Sequence, residues 1–278
     1  MRRAAGVAAL AASVLALSGC DAEGKDEIQR LAMPAPRADE VQNIYDLWHW
    51  SWLAAIIVGV VVWGLIGYAV IRFRRKSPDE VPVQTRYNLP IEIFYTVAPI
   101  MIVVVLFFFT IKVQDEVLPA DPPKPDRTVE VVGQQWSWTF NYLKDDATGG
   151  ETVFDSGTPA DYPTLWLPVD EKVRFNLYSP DVIHSFWVPS FLFKMDVVPG
   201  RDNHFELTPN RIGTYVGKCA ELCGAYHSRM LFNVKVVSAD DYDAHLKQLQ
   251  ADGNTGLTRG TEKVRAQPGL EPEAGAER

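Results

Sequence analysis

The sequence predicts a two-helix transmembrane hairpin near its N-terminus, followed by an all-β Greek-key domain. Two uncharged runs and a series of short strand-like runs carry this prediction. Residues 53–71 and 93–111 contain no charged side chain over 19 positions each. At ~1.5 Å per residue each would be about 28 Å long as a helix, close to the ~30 Å of a bilayer's hydrocarbon core. Trp48, Trp50 and Trp52 precede the first run, where an interfacial aromatic belt would lie. Beyond residue 126, seven short runs are punctuated by Gly, Pro, Asn and Asp, the pattern of a sandwich or barrel. They span 128–132, 136–142, 164–167, 172–178, 204–207, 213–218 and 231–237.

Loop charge sets the orientation. Arg72, Arg74, Arg75, Lys76 and Arg86 lie between the two spans, so the positive-inside rule places that loop in the cytoplasm and the β domain outside. Arg2-Arg3, an apolar stretch and then Leu17-Ser18-Gly19-Cys20 read as a secretory signal. That box resembles a bacterial lipoprotein cleavage site with Cys20 as the lipidated residue; the alternative is an ordinary signal with an incidental cysteine. The expected organisation is a lipoprotein-type signal over 1–19 and an extracytoplasmic segment over 20–47. The hairpin follows over 48–114, a Pro-rich linker over 115–125 and the β domain over 126–240. A short helix and a disordered tail complete 241–278. The expected location is a bacterial cell membrane, with two spans.

The chemistry concentrates in Cys219-Ala-Glu-Leu-Cys223-Gly-Ala-Tyr-His227-Ser-Arg-Met230. Thiolate and thioether are soft ligands suited to copper, and imidazole suits it as well. Two thiolates can bridge two metal ions, so the loop reads as a site for a copper pair. His184, after the strand-like run 172–178, is the candidate for a second imidazole. The chain has 5 His, and His49, His204 and His245 read as ordinary surface or interfacial residues. Of the 3 Cys, Cys219 and Cys223 could alternatively form a disulfide in an oxidising compartment. A disulfide would not require His227 and Met230 at ligand spacing.

Together, the hairpin, the β domain and the Cys219–Met230 loop resemble subunit II of haem-copper cytochrome c oxidases, over about residues 40 to 245. The resemblance implies a cupredoxin-like β domain carrying a dinuclear copper centre, CuA. Its ligands would be His184, Cys219, Cys223, His227, Met230 and the backbone carbonyl of Glu221. The Glu221 side chain would reach a magnesium ion shared with subunit I. Gly133-Gln-Gln-Trp136-Ser-Trp138 is similar to the family's aromatic segment, which makes Trp136 the electron-entry residue. It departs from that segment at Gln134, where the family usually has His, and at Ser137, which replaces an aromatic. Read from the residues alone, Trp136 and Trp138 alternate on one strand and share a face. Glu92 matches a carboxylate at the cytoplasmic mouth of a proton channel in subunit I; it also reads as a plain interfacial charge.

The implied function is electron relay in a proton-pumping oxidase. Electrons would pass from a c-type cytochrome, soluble or complex-bound, to haem in subunit I, where oxygen is reduced to water. Expected partners are subunit I, the other oxidase subunits, the cytochrome and membrane lipid. From Asp121 to Asp243 there are 18 acidic against 11 basic residues, a net of −7. Such a surface could steer a basic haem protein, or serve only solubility, and nucleic acid is not an expected partner. The rival reading is a membrane-anchored copper chaperone or thiol-redox protein using Cys219 and Cys223. Met230, Glu221 and the second span argue against it.

Overall fold

The computed structural model describes residues 22–259. The expected signal segment, Cys20 and the tail beyond residue 259 lie outside the described residues. The chain divides into two units, Met1–Ala35 and Pro36–Arg278. In the first, α1 (Ala22–Gln29) is followed by a turn in which Arg30 Nε donates to the Met33 carbonyl.

The second unit begins with the membrane-type helices, α2 (Gln42–Arg72) and α3 (Leu89–Val117). Both are long and apolar enough to cross a bilayer. They extend past the expected hairpin limits of 48 and 114, because backbone hydrogen bonding does not end where the apolar run ends. Gln42 Nε2, for example, donates to Asp46 Oδ1 at 3.0 Å in the first turn of α2. The helices leave Trp63 73% and Phe94 71% exposed, surface that lipid or a partner helix can cover. The start of α3 is capped in both directions. The Asn88 side chain accepts from Ile91 N, and Glu92 Oε1 accepts from Asn88 N at 2.8 Å.

Residues 36–41, expected to belong to a separate N-terminal segment, pack on the β domain. Ala38 and Val41 are fully buried. The Glu40 carboxylate accepts from Lys172 Nζ and from Thr208 N, both at 2.8 Å. The sequence pattern misses this contact because its partners lie 132 and 168 positions away.

The β domain contains β1 (Arg127–Gln134), β2 (Ser137–Tyr142), β3 (Val153–Ser156), β4 (Thr164–Pro168) and β5 (Val173–Tyr178). They are followed by β6 (His184–Val188), β7 (Phe193–Val197), β8 (Asn203–Leu207), β9 (Gly213–Cys219) and β10 (Leu231–Val237). Two five-stranded sheets form, in the orders β3-β2-β1-β5-β8 and β4-β10-β9-β6-β7. Two pairings are parallel, β1 with β5 and β10 with β4. Three strands escaped the sequence reading: β3, β6 and β7. Pro189 directly follows β6, and β7 carries Lys194 and Asp196 on its exposed face, so neither reads as a simple apolar run.

Aromatic rings fill the space between the sheets. Phe186 stacks on Phe232 at 5.0 Å, Phe175 on Phe205 at 4.9 Å, and Trp138 meets Phe186 and Phe232 edge-on. Gly217 makes room for this packing: a Cβ there would fall 2.0 Å from Phe232 Cζ.

Helix α4 (Ala239–Ala251) is capped by Ser238, whose hydroxyl accepts from Asp241 N at 3.2 Å. His245 on this helix is not a simple surface residue. Its ring stacks on Trp166 at 4.1 Å, while Lys235 Nζ lies 3.9 Å from the same indole. Burial and the Lys235 charge pull the His245 pKa down to about 4. Residues 252–259, expected as disordered tail, instead cross the first sheet. Asn254 O accepts from Phe154 N, Asn141 and Thr258 exchange two hydrogen bonds, and Arg259 forks onto Glu130. Polar partners hold this segment, so it carries no apolar periodicity for a sequence reading to detect.

Candidate metal centre

The loop from Cys219 to Met230 joins two neighbouring strands. Cys219 ends β9, Met230 directly precedes β10, and Cys219 N donates to the Met230 carbonyl at 3.0 Å. His184 opens β6, which pairs with β9 through Phe186 and Cys219. Sheet register thus brings together residues 35 positions apart in the chain.

Cys219 Sγ and Cys223 Sγ lie 3.8 Å apart as free thiols, with no disulfide between them. His184 Nδ1 is 3.9 Å from Cys219 Sγ, and His227 Nδ1 is 3.6 Å from Cys223 Sγ. Met230 Sδ lies 3.7 Å from Cys223 Sγ, and the Glu221 carbonyl oxygen 3.2 Å from Cys219 Sγ. Donor atoms of His184, Cys219 and Cys223 all fall within 4.8 Å of one another. Every predicted ligand is therefore gathered round the two sulfurs. Two soft sulfurs at the centre, an imidazole beside each and a thioether at one side form a donor set that fits copper.

The thiols compete for charge. The hydrogen bond from Cys223 draws the Cys219 pKa down, and the same interaction with Cys219, together with burial, pushes Cys223 up. Two adjacent thiolates repel, so both sulfurs lose their protons together only when a cation compensates the charge.

Asp181, which sequence reasoning missed, fixes His184. Its carboxylate accepts from His184 Nε2 at 2.9 Å, from Gln135 N at 2.8 Å and from Val182 N at 2.6 Å. With Nε2 donating, Nδ1 faces the sulfurs as a lone pair. Burial disfavours the Asp181 charge, yet these donors hold its pKa down to about 2. Burial likewise disfavours protonated His184, but Asp181 and Cys219 outweigh it and raise the pKa. The available signal was Asp181 itself, a carboxylate in the polar Ser179-Pro-Asp181 stretch three residues before His184.

The residues around Trp136 hold the loop backbone. Trp136 is not on a strand with Trp138. It occupies the two-residue turn between β1 and β2, where Gln134 pairs with Ser137. Strand alternation therefore does not relate the two Trp, because it stops at the turn, yet both indoles reach the same loop. Trp136 Nε1 and Gln135 Nε2 both donate to the Cys223 carbonyl, at 3.3 and 2.6 Å. Trp138 Nε1 donates to the Met230 carbonyl at 3.3 Å. Two glycines allow the close approach. A Cβ on Gly133 would meet the His184 ring at 3.3 Å, and one on Gly224, where φ is +126°, would fall 3.0 Å from the Trp136 ring.

Two predicted residues stand apart from this cluster. The Glu221 side chain is exposed, so only its carbonyl meets the sulfurs. Glu92 lies at the N-terminus of α3, where its observed role is the cap on Asn88.

Known proteins match this chain along most of its length. Residues 28–113 fit the family model for the transmembrane domain of cytochrome c oxidase subunit II, and 127–237 the model for its periplasmic domain. The probable cytochrome c oxidase subunit 2 of Streptomyces avermitilis is 49% identical over 92% of this chain and 90% of its own length. A Nocardia farcinica relative of the same description is 34% identical over 90% of this chain and 82% of its own length. The solved periplasmic domain of oxidase subunit II from Bradyrhizobium japonicum, 27% identical, overlaps 47% of this chain and 97% of that one at a TM-score of 0.42. The assignment rests on the family models and the sequence relatives: the chain belongs to the cytochrome c oxidase subunit II family.

Proposed function

We propose that this chain is the electron-entry subunit of a cytochrome c oxidase and holds a dinuclear copper centre on His184, Cys219, Cys223, His227, Met230 and the Glu221 carbonyl. One observation carries the reading: two unbonded sulfurs 3.8 Å apart, each with an imidazole Nδ1 within 4 Å. When bound, a copper pair would supply one-electron redox chemistry shared through both thiolates.

The protein's part is to hold these donors still. Asp181 sets the His184 tautomer. Trp136, Gln135 and Trp138 clamp the loop carbonyls, and burial of Cys219, Cys223 and Met230 keeps water from the sulfurs. A site that cannot rearrange needs little reorganisation when its charge changes. Trp136 is proposed as the entry residue: its indole is bonded to the Cys223 carbonyl and packs edge-on against Tyr226 at 5.3 Å.

The electron donor is proposed to be a c-type cytochrome steered by the acidic domain, and the acceptor haem in subunit I of a proton-pumping complex. The β domain is assigned to the extracytoplasmic side on loop charge. The Glu221 side chain as a magnesium ligand, Glu92 at a proton-channel mouth and Cys20 as a lipid attachment point are proposed on the family resemblance and the sequence.

The test is copper analysis with electron paramagnetic resonance on the purified complex. Two coppers per chain, with hyperfine structure from one electron shared equally by two nuclei, is the expected result. A single copper, or a Cys219–Cys223 disulfide that excludes metal, would overturn the reading in favour of a chaperone or thiol-redox protein.

A further inference from the structure

We infer that Glu40 and Lys172 form a latch that holds the β domain in place over the membrane hairpin, so that the metal centre faces its electron acceptor at a fixed distance. Two chain segments connect the hairpin to the β domain: residues 36–41 ahead of α2 and residues 118–126 after α3. Domains joined through linkers move relative to one another unless the contact between them is extensive. Here both connections are tied to one residue. Lys172, directly before β5, accepts at its carbonyl from Asp126 N at 2.9 Å and from Arg127 N at 3.1 Å. Its own N donates to Asp126 Oδ2 at 2.8 Å. Its side chain reaches the other connection, where Nζ donates to Glu40 Oε1 at 2.8 Å. The turn before β5 thus grips the way into α2 and the way out of α3 together.

The segment ahead of α2 is held along its length. Ala38 makes an antiparallel bridge with Pro209, Arg37 N donates to the Ser190 carbonyl, and Asp39 N donates to that of Thr208. Asn210 N donates in return to the Arg37 carbonyl. Glu40 closes this short pairing. Besides Lys172, its carboxylate accepts from Thr208 N at 2.8 Å and from Thr208 Oγ1 at 2.9 Å. Helix α2 starts two residues later at Gln42, so little slack separates the latch from the membrane helix. Next to it, Ile44 and Leu118 pack against the hydrophobic core, and Val117 at the end of α3 is buried. Among the ion pairs of the described residues, Glu40–Lys172 alone joins the segment ahead of α2 to the β domain. The second connection carries Pro119, Pro122, Pro123 and Pro125, which make it a semi-rigid spacer rather than a slack tether.

Neither residue belongs to the donor set, so both are positioning residues. With the latch released, the metal donors keep their places while the β domain rocks on its spacer. Electron transfer slows steeply with distance, so rocking slows the onward step to an acceptor fixed in the membrane. Reduction by the cytochrome needs only the β domain and is untouched. This inference rests on the electron-relay reading, and the experiment separates the two.

The purified oxidase complex is compared as wild type, K172M, E40Q and R174Q. K172M keeps the side-chain stem and the backbone bonds to the second connection, and E40Q keeps the shape of Glu40 without its charge. R174Q removes the ion pair with Glu206, two positions along the chain from Lys172, and touches neither connection. Amide hydrogen exchange at Arg37 and Asp39 reads the latch. Copper content and paramagnetic signature read the metal site. Copper reduction by the cytochrome and onward transfer after rapid reduction are timed separately. We expect K172M and E40Q to exchange ~10-fold faster at those two amides. Their copper readouts and copper reduction should match wild type while onward transfer slows several-fold, and R174Q should match wild type throughout. Wild-type exchange in both latch variants, or faster exchange with a wild-type onward rate, would overturn the proposal. So would loss of the copper signal in either latch variant, or equal slowing in R174Q, which would trace the effect to the stability of the β domain. Absence of copper from the wild type would instead refute the electron-relay reading, and exchange at Arg37 and Asp39 would still decide whether the latch holds.

Discussion

Replacing Asp181 with Asn tests whether a residue outside the proposed ligand set controls the candidate metal site. The two side chains have nearly the same shape, so packing is kept. What changes is acceptor capacity and charge. Asp181 Oδ1 takes the His184 and Val182 donors, and Oδ2 takes Gln135 N. An amide can serve the first oxygen's partners, but it then turns a donor NH2 toward the Gln135 N–H. The folded state holds the carboxyl at about 2 against an ordinary 3.8, which at ~1.36 kcal/mol per pKa unit corresponds to ~2.4 kcal/mol of preference for the charge. The side chain is 17% exposed, and solvent screening brings the expected loss of stability at neutral pH to about 1–2 kcal/mol. The same substitution frees the His184 ring to rotate or to take the other tautomer, for which a drop of ~10–100-fold in copper affinity is expected. Copper titration against a competing chelator reads the affinity, and denaturant unfolding of the copper-free chain reads the stability. Wild-type affinity in D181N would refute the argument that Asp181 sets the donor face of His184. Full stability with weakened copper binding would refute only the energetic part.

Two further outcomes follow from local geometry. Gly224→Ala puts a Cβ 3.0 Å from the Trp136 ring on a backbone with φ +126°, so a loss of ~2–3 kcal/mol and a heterogeneous copper signal are expected. Gly149→Ala, with φ +68° and nothing within 4 Å, should cost only ~1–2 kcal/mol and leave the copper signal alone; equal effects from the two would count against the Trp136–Cys223 clamp. His245 should make the domain acid-sensitive. Its folded pKa of about 4 lies below the ordinary 6.5, so the unfolded chain takes the proton first. Stability is then complete above pH 6.5 and falls as pH drops toward 4. The difference corresponds to ~3.4 kcal/mol at ~1.36 kcal/mol per pKa unit, reduced to about 1–2 kcal/mol by screening of the partly open ring. Unfolding curves across that range check it, and His245→Phe, which keeps the stack on Trp166, should flatten the response.

By itself the sequence determined the membrane-type helices, the β character of the second half and the candidate metal donors. Hydrophobic length and ligand spacing are local properties, so residues 53–71 and 93–111 and the run from Cys219 to Met230 could be read from one stretch at a time. His184 was legible only because few histidines compete for its role. The tertiary structure decided what depends on pairing between distant segments. It brought Asp181 to His184 Nε2 and turned Trp136 out of the strand to hold the Cys223 carbonyl. It drew residues 252–259 onto the first sheet through Asn141 and Glu130, and brought Glu40 to Lys172 and Thr208. None of these contacts leaves a periodic trace, because each is made by a single polar or aromatic group to a partner chosen by sheet register. Spacing along the chain names the candidate ligands; register across the sheets holds and surrounds them.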